Sequence, residues 1–305
     1  MRFSTAAALA EAFLLSNTTR PQLVQVGAGV GDFDPARFGH RSDAVREAIY
    51  LLLDHASTRA LLVEPNPPVY DELHAKVRER FGAKPVNAVN VAMCAEETSD
   101  HLDLFVASPR LVRDLPKTPR WARNELSSTI RTSILGGLKM LLGPKRSSDA
   151  ASYIDSVRVP CRTPQTLLHA AQLMPADVDV LVVDAEGSDA AIVHAFLLAG
   201  CRPSLIFFEA HIAMNLRRDD LSRLVQLLRS LGYHLDCRTC YYLLRPAMGA
   251  GGDPLWPPNP LNSTLPKPRD SGANGLAWDP SRVSLAGVMD RHAELANWYS
   301  RTAKV

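Results

Sequence analysis

The chain has 305 residues, 46% of them hydrophobic, with a formal net charge of +2 and a pI near 8.3. That is enough apolar material for one large α/β domain with decoration, or for two small domains. The charge balance excludes any global reason to expect nucleic acid or a membrane surface as partner, and no apolar run is long enough to cross a bilayer.

Met1 to Leu15 reads as a first helix and not a signal peptide, because Glu11 interrupts its apolar run. The five cysteines, Cys94, Cys161, Cys201, Cys237 and Cys240, form an odd and unpatterned set, which suits a reducing compartment and a cytoplasmic location. Cys237 and Cys240 make a C-x-x-C without a second ligand pair, so two half-buried thiols are expected there in preference to a zinc site.

Leu23 to Val26 is a short apolar run of the kind expected for a strand buried on both faces, and Gly27-Ala28-Gly29-Val30-Gly31 follows it. Asp43 to Asp54 gives a crossover helix, and Ala60 to Val63 a second strand ending in Glu64-Pro65-Asn66. Val69, Leu73, Val77 and Phe81 share one face of the next helix, after which Val86 to Ala92 and Leu102 to Val106 are a third strand and a fourth at an edge. From Ser108 to Tyr153 the alternation breaks and basic residues outnumber acidic ones, as in an insertion folded over the sheet's edge, whose apolar piece, Ile134 to Leu142, either anchors it, the favoured reading, or lines a substrate cavity. Alternation returns with a strand over Asp179–Asp184, a helix through Leu198, a strand over Leu205–Glu209, a helix over Asp219–Leu231, and strands around Tyr233–Asp236 and Tyr241–Leu244. Residues 246–280 form a Pro/Gly-rich arm, and Ser284 to Tyr299 a last helix whose apolar face must dock on this domain or on a second copy. The division is thus an N-terminal helix over 1–22, a main domain over 23–245 with its insertion at about 108–153, and an arm with a C-terminal helix over 246–305. The fold class is α/β, a Rossmann-like, doubly wound, mostly parallel sheet.

The glycine loop and Glu64 together point to an adenosine-containing cofactor. Glycines let the backbone turn sharply and approach a ligand, and a carboxylate at the next strand tip can accept ribose hydroxyl hydrogens. Asp32 stands where a dinucleotide fingerprint needs its third glycine, and Asp32 and Asp34 put negative charge where a pyrophosphate would sit. The sulfonium cation of S-adenosylmethionine is attracted by the same charge, which favours it over NAD. On this reading Gly27, Ala28, Gly29 and Gly31 line the amino-acid end, Glu64 the ribose, and Pro65, Asn66, Ala92 and Met93 the adenine region, with Asp184 close by.

Four ionisable residues fall at two strand ends, where ligands sit in open α/β sheets. Asp184 and Glu186 close one strand, and Glu209 and His211 the next, each pair on one side of its strand. His211 is the first candidate general base, since a neutral imidazole accepts a proton near pH 7, with Asp184 and then Glu209 behind it. Alternatively Asp184, Glu186, Glu209 and His211 hold a divalent ion, because oxygen-rich sets suit Mg or Mn. For each carboxylate there is a plainer role, capping of the following helix by Glu186 or by Ser188.

These segments together resemble the FkbM family of S-adenosylmethionine-dependent methyltransferases. The resemblance lies in Val24 to Gly31, Val63-Glu64-Pro65-Asn66-Pro67, Val89-Asn90-Val91-Ala92, Ser127-Ser128, Val180 to Asp189 and Phe208-Glu209. It implies a class I methyltransferase fold and methylation of oxygen, usually a hydroxyl of a sugar, polyketide or similar metabolite. Two positions depart from the family pattern: Val182 where Lys is frequent, and Asp189 where Glu is usual. The insertion's cations are either an ordinary solvated face, the commoner outcome, or, if functional, an attraction for an anionic substrate or headgroup. A catalytically silent scaffold of the same fold is the competing reading, and a nucleic-acid methyltransferase a third, weakened by the few aromatics among those basic residues.

Overall fold

The central strands of the main sheet are apolar at nearly every position because both of their faces are covered. The computed structural model describes residues 10, 13–14, 20–31, 44–96, 99–119, 122, 126–209, 218–236, 274–278 and 282. In chain order, the first half holds β1 (Gln22–Val26), α1 (Ala44–Asp54), β2 (Arg59–Val63), α2 (Pro67–Phe81), β3 (Val86–Val89), β4 (Ala92–Met93), β5 (His101–Ala107), α3 (Pro109–Asp114), β6 (Ser127–Ser128) and α4 (Arg131–Leu142). The second half holds β7 (Ile154–Arg162), α5 (Pro164–Ala170), β8 (Val180–Val183), α6 (Asp189–Leu198), β9 (Leu205–Glu209), α7 (Arg218–Ser230), β10 (His234–Asp236) and β11 (Asn274–Trp278).

The main sheet has the order β10-β11-β9-β8-β1-β2-β3. From β9 to β3 all neighbours are parallel, while β11 runs antiparallel to both β9 and β10. The period-two alternation of a strand divides its side chains between two cores. Val24, Val26, Leu61, Val63, Leu181, Val183, Ile206 and Phe208 join one cluster, and Leu23, Ala60, Leu62, Val180, Val182, Leu205 and Phe207 the other. Each of these Val, Leu, Ile and Phe side chains contributes about 1.5–3 kcal/mol when fully buried. The doubly wound α/β class expected from the alternation is therefore the observed fold, with the strand order reversing between β1 and β8.

The helices pack as their periodicity dictates. Val69, Leu73, Val77 and Phe81 of α2 are its buried residues. Helix α6, apolar almost all round, buries Ala190, Ile192, Val193, Ala195, Phe196 and Leu197. Ala10, Phe13 and Leu14 are helical, and the first two are buried against the second cluster.

Four features differ from the sequence expectation. Leu102 to Val106 is not an edge of the main sheet. It lies in β5, inside a second sheet of order β4-β7-β5-β6, and β7 was not anticipated as a strand. The third strand ends at Val89, and Ala92–Met93 pairs with β7 instead. Residues 274–278 of the arm form a strand within the main sheet. The cysteines are not all free thiols, since the β4–β7 pairing brings Cys94 and Cys161 together as a disulfide with Cα atoms 5.9 Å apart. The bonded pair removes the argument from cysteine usage for a reducing compartment.

The segment from 108 to 153 folds around its own small core of Leu111, Ala122, Leu126, Ile134, Leu138, Ala150 and Tyr153. Ile134 and Leu138 are fully buried there, so the apolar piece of α4 anchors the insertion. Three of its described cations form ion pairs on the surface: Arg110 with Asp155, Arg113 with Asp114, and Arg146 with Asp149. Tyr241–Leu244, residues 246–273, the last helix and the Cys237/Cys240 pair lie outside the described residues. No helix among the described residues is long and apolar enough to cross a membrane.

Candidate active site

One cleft opens at the carboxyl ends of β1, β2, β8 and β9, at the point where the strand order reverses. This is where open α/β sheets bind ligands. On one side it is lined by Gly27, Ala28, Gly29, Gly31, Glu64 and Pro65, with Ala92 and Met93 beyond them. On the other it is lined by Asp184, Glu186, Ser188 and Glu209, and by Ser127, Ser128 and Thr129 of the insertion.

The glycine loop is bound tightly to the ends of its neighbouring strands. The amides of Gly27 and Ala28 both donate to the carbonyl of Val63, at 2.9 and 3.0 Å. Gly29 N–H donates to Glu64 Oε2 at 2.8 Å, and Gly31 N–H to the Ala28 carbonyl at 3.2 Å. Gly27 has φ +76°, and a Cβ there would overlap the carbonyl of Asp184, so the chains leaving β1 and β8 cross at a distance only glycine permits. Gly29, at φ +56°, has open space where its Cβ would be, so only the left-handed backbone demands glycine.

These hydrogen bonds discriminate between cofactors. A pyrophosphate needs loop amides directed at it. Here the amides of Gly27, Ala28, Gly29 and Gly31 donate to protein oxygens, one of them a carboxylate. These four amides are engaged by protein oxygens, and that of Gly29 holds Glu64 in place. Asp32 and Asp34, the other acids expected there, lie outside the described residues.

Glu64 is 4% exposed. Burial raises its pKa from 4.5 to about 7, against the opposing effect of the Asn66 and Gly29 amides. Its Oε1 accepts from Asn66 N–H at 2.9 Å, and the Asn90 side chain secures the backbone behind it through the carbonyls of Glu64 and Pro65. Each carboxylate oxygen has a further lone pair for a ribose hydroxyl. Asn66 is itself buried beside Glu64 and holds the carboxylate through its backbone N–H.

Across the cleft, the carboxylates of Asp184, Asp189 and Glu209 bring oxygens within 4.8 Å of one another. Two of the expected quartet, Asp184 and Glu209, are in this group. Glu186 lines the cleft but is not in the group, His211 lies outside the described residues, and Asp189 takes a place that the sequence did not assign it. Asp189 is 3% exposed, and its oxygens accept from Ala185 N–H at 2.8 Å and Gly187 N–H at 2.9 Å. Burial first, and the nearby Glu209 charge, raise its pKa from 3.8 to about 7 against these amides. Ser188 stands at the N-cap of α6 without a side-chain cap hydrogen bond, and the first residue of the helix, Asp189, reaches back and ties down the turn before it.

A parallel sheet that reverses order beside a glycine turn, with a buried carboxylate on the next strand, is the arrangement of a ligand-binding α/β enzyme site. The Methyltransferase FkbM domain matches residues 25–235, and the chain belongs to that family; it is a methyltransferase of the S-adenosylmethionine-dependent class. Among curated proteins, none matches the chain. A precorrin-6y C5,15-methyltransferase from Geobacter metallireducens GS-15 is a solved structure similar to it, at 13% identity and a TM-score of 0.32, covering 75% of this chain and 71% of that one.

Proposed function

We propose that the protein transfers the methyl group of S-adenosylmethionine to a hydroxyl of a small molecule, a sugar, polyketide or similar metabolite. The observation that carries this reading is the pairing, across one cleft, of the Glu64-bound glycine loop with the carboxylates of Asp184 and Glu209. The donor set fits the cofactor: Glu64 offers acceptors to the ribose, and the loop presents close backbone without competing for a phosphate. Bound there, S-adenosylmethionine supplies an electrophilic methyl group on a sulfonium.

What remains for the chain is to orient an acceptor in line and to remove its proton. Asp184 is exposed to the cleft and Glu209 half-buried beside it, so either can accept a proton from a hydroxyl held at the mouth. His211, two residues beyond β9, is the third base in the proposal. The same oxygens suit a divalent ion, with Asp189 contributing only the lone pairs its amide partners leave. Arg46 is the cation among the described lining residues, and it favours an anionic acceptor more directly than the insertion does.

Calorimetric titration with S-adenosylmethionine, beside NAD and beside Glu64→Ala, tests the cofactor. Release of S-adenosylhomocysteine across hydroxylated acceptors, anionic ones first and with and without EDTA, tests the reaction. Cofactor binding without turnover on any acceptor would favour the scaffold reading, and no binding by folded protein would remove the proposal.

A further inference from the structure

The turn from Asp184 to Ser188 carries two of the lining acids and adopts a backbone that its sequence does not favour. Glu186 has φ +50°, a left-handed value uncommon outside glycine, and Gly187 follows at φ +109°. Such a turn persists only where its surroundings hold it. Asp189 holds it from its own helix through the amides of Ala185 and Gly187. The second grip comes from the insertion.

Ser128, in the two-residue strand β6, is 3% exposed. Its Oγ donates to the carbonyl of Glu186 at 3.0 Å and accepts from Ile130 N–H at 3.0 Å. Next to it, Thr129 Oγ1 and Ser188 Oγ lie 3.2 Å apart. A Cβ placed on Gly187 would meet Ile130 Cδ1 and Ser133 Oγ, each at 3.6 Å, which puts the insertion in direct contact with the turn. One hydroxyl thus joins the second sheet to the left-handed residue of the acid turn.

We infer that Ser128 is a positioning residue for methyl transfer: its hydroxyl fixes the Glu186 carbonyl, and so sets where the turn from Asp184 to Ser188 presents its acids to the acceptor. This rests on the methyltransferase reading above. It gives the insertion a part in the reaction that its surface cations do not supply. None of the described cations of the 108–153 insertion lines the cleft, whereas Ser127, Ser128 and Thr129 do.

The test is hydrogen exchange by mass spectrometry on the full chain, comparing wild type, Ser128→Ala and Ser128→Thr, with S-adenosylhomocysteine affinity measured on each. Ser128→Ala removes the hydroxyl that the Glu186 carbonyl and the Ile130 N–H share, so exchange at the amides of 185–188 is expected to quicken on the order of tenfold. The alanine variant should keep wild-type affinity for S-adenosylhomocysteine, and Ser128→Thr, which retains the hydroxyl, should restore wild-type exchange. On an acceptor that the wild type methylates, kcat should fall with Ser128→Ala while KM for S-adenosylmethionine holds. Unchanged exchange at 185–188, or a rise shared equally by the insertion's core and not reversed by Ser128→Thr, would overturn the positioning role. Failure of the wild type to bind S-adenosylhomocysteine would remove the reaction and the role together, and is seen separately because the exchange is read without ligand.

Discussion

The pH dependence of cofactor binding is where Glu64 can be tested most directly. Its carboxyl is raised from 4.5 to about 7, a difference that corresponds to about 3 kcal/mol between its protonation states. The sign for folding follows from the raised value: Glu64 contributes its stability in full below pH 4.5, and that contribution is lost as pH rises through about 7. Cofactor binding has the opposite slope, because the ionised carboxylate is the better ribose acceptor and the one that attracts a sulfonium. If only the ionised form binds, the apparent Kd should rise about tenfold for each pH unit below 7 and flatten above it. The cofactor's own amino group titrates in a neighbouring range, so the control is Glu64→Gln, which meets the same ligand without a titrating partner. That variant should bind about 10- to 100-fold more weakly at pH 8, as expected for loss of a charged hydrogen-bond acceptor, and with a flatter pH profile. Calorimetry from pH 5.5 to 8.5 in buffers of differing ionisation enthalpy reads both the affinity and the protons released. A wild-type profile no steeper than that of the variant would refute the assignment of Glu64 to the ribose.

Other expected outcomes follow from the same geometry. Gly27→Ala should cost about 3 kcal/mol or more in urea unfolding, since its Cβ overlaps the Asp184 carbonyl, whereas Gly29→Ala should cost only the left-handed backbone penalty of about 1–2 kcal/mol. The Cys94–Cys161 bond spans a sequence separation of 67, so in the chain-entropy account its reduction should lower the unfolding free energy by about 4 kcal/mol; thiol titration before and after dithiothreitol reads the bond itself. Asp184→Asn or Glu209→Gln should lower kcat about 10²- to 10⁴-fold where the residue removed is the base, with cofactor affinity retained. A drop of the same size in both variants would mean that they act as one unit and not as alternatives.

The main sheet was legible because parallel strands covered on both faces are unbroken apolar runs, as in Val180–Val183 and Leu205–Glu209. The second sheet was not. Strand β7, Ile154–Arg162, is half-buried, carries Asp155, Arg158 and Pro160, and is defined by antiparallel pairing with β5 far earlier in the chain. Strand β11 sits in a Pro/Gly-rich context that reads as irregular, and only its place between β9 and β10 makes it a strand. The cofactor side of the cleft was visible in local motifs, since the glycines and Glu64 belong to adjoining strand ends. The acceptor side depended on long-range contacts. Asp189 looked like an ordinary acid in a helix's first turn, where it suits the dipole, and nothing in its neighbours shows that it bonds backward. Ser128 lies 58 residues from the carbonyl it holds.

Glu64 and Asp189 turn out to be the same device used twice. Each is a buried carboxylate that accepts two backbone amides from a strand-end turn: Gly29 and Asn66 for Glu64, Ala185 and Gly187 for Asp189. In each, burial outweighs the amides and raises the pKa to about 7. A protonated carboxyl has one oxygen that must donate, so it cannot satisfy both amides of its turn as well as the ionised form does. Both walls of the cleft therefore change character in the same pH range, the cofactor side through Glu64 and the acceptor side through Asp189. Hydrogen exchange at 185–188 offers the separation, because Glu64→Gln leaves Asp189 to titrate alone. Exchange there that still quickens as pH falls through 7, after correction for intrinsic rates, would assign that change to Asp189; exchange that becomes flat would assign it to Glu64 acting across the crossing of Gly27 with Asp184.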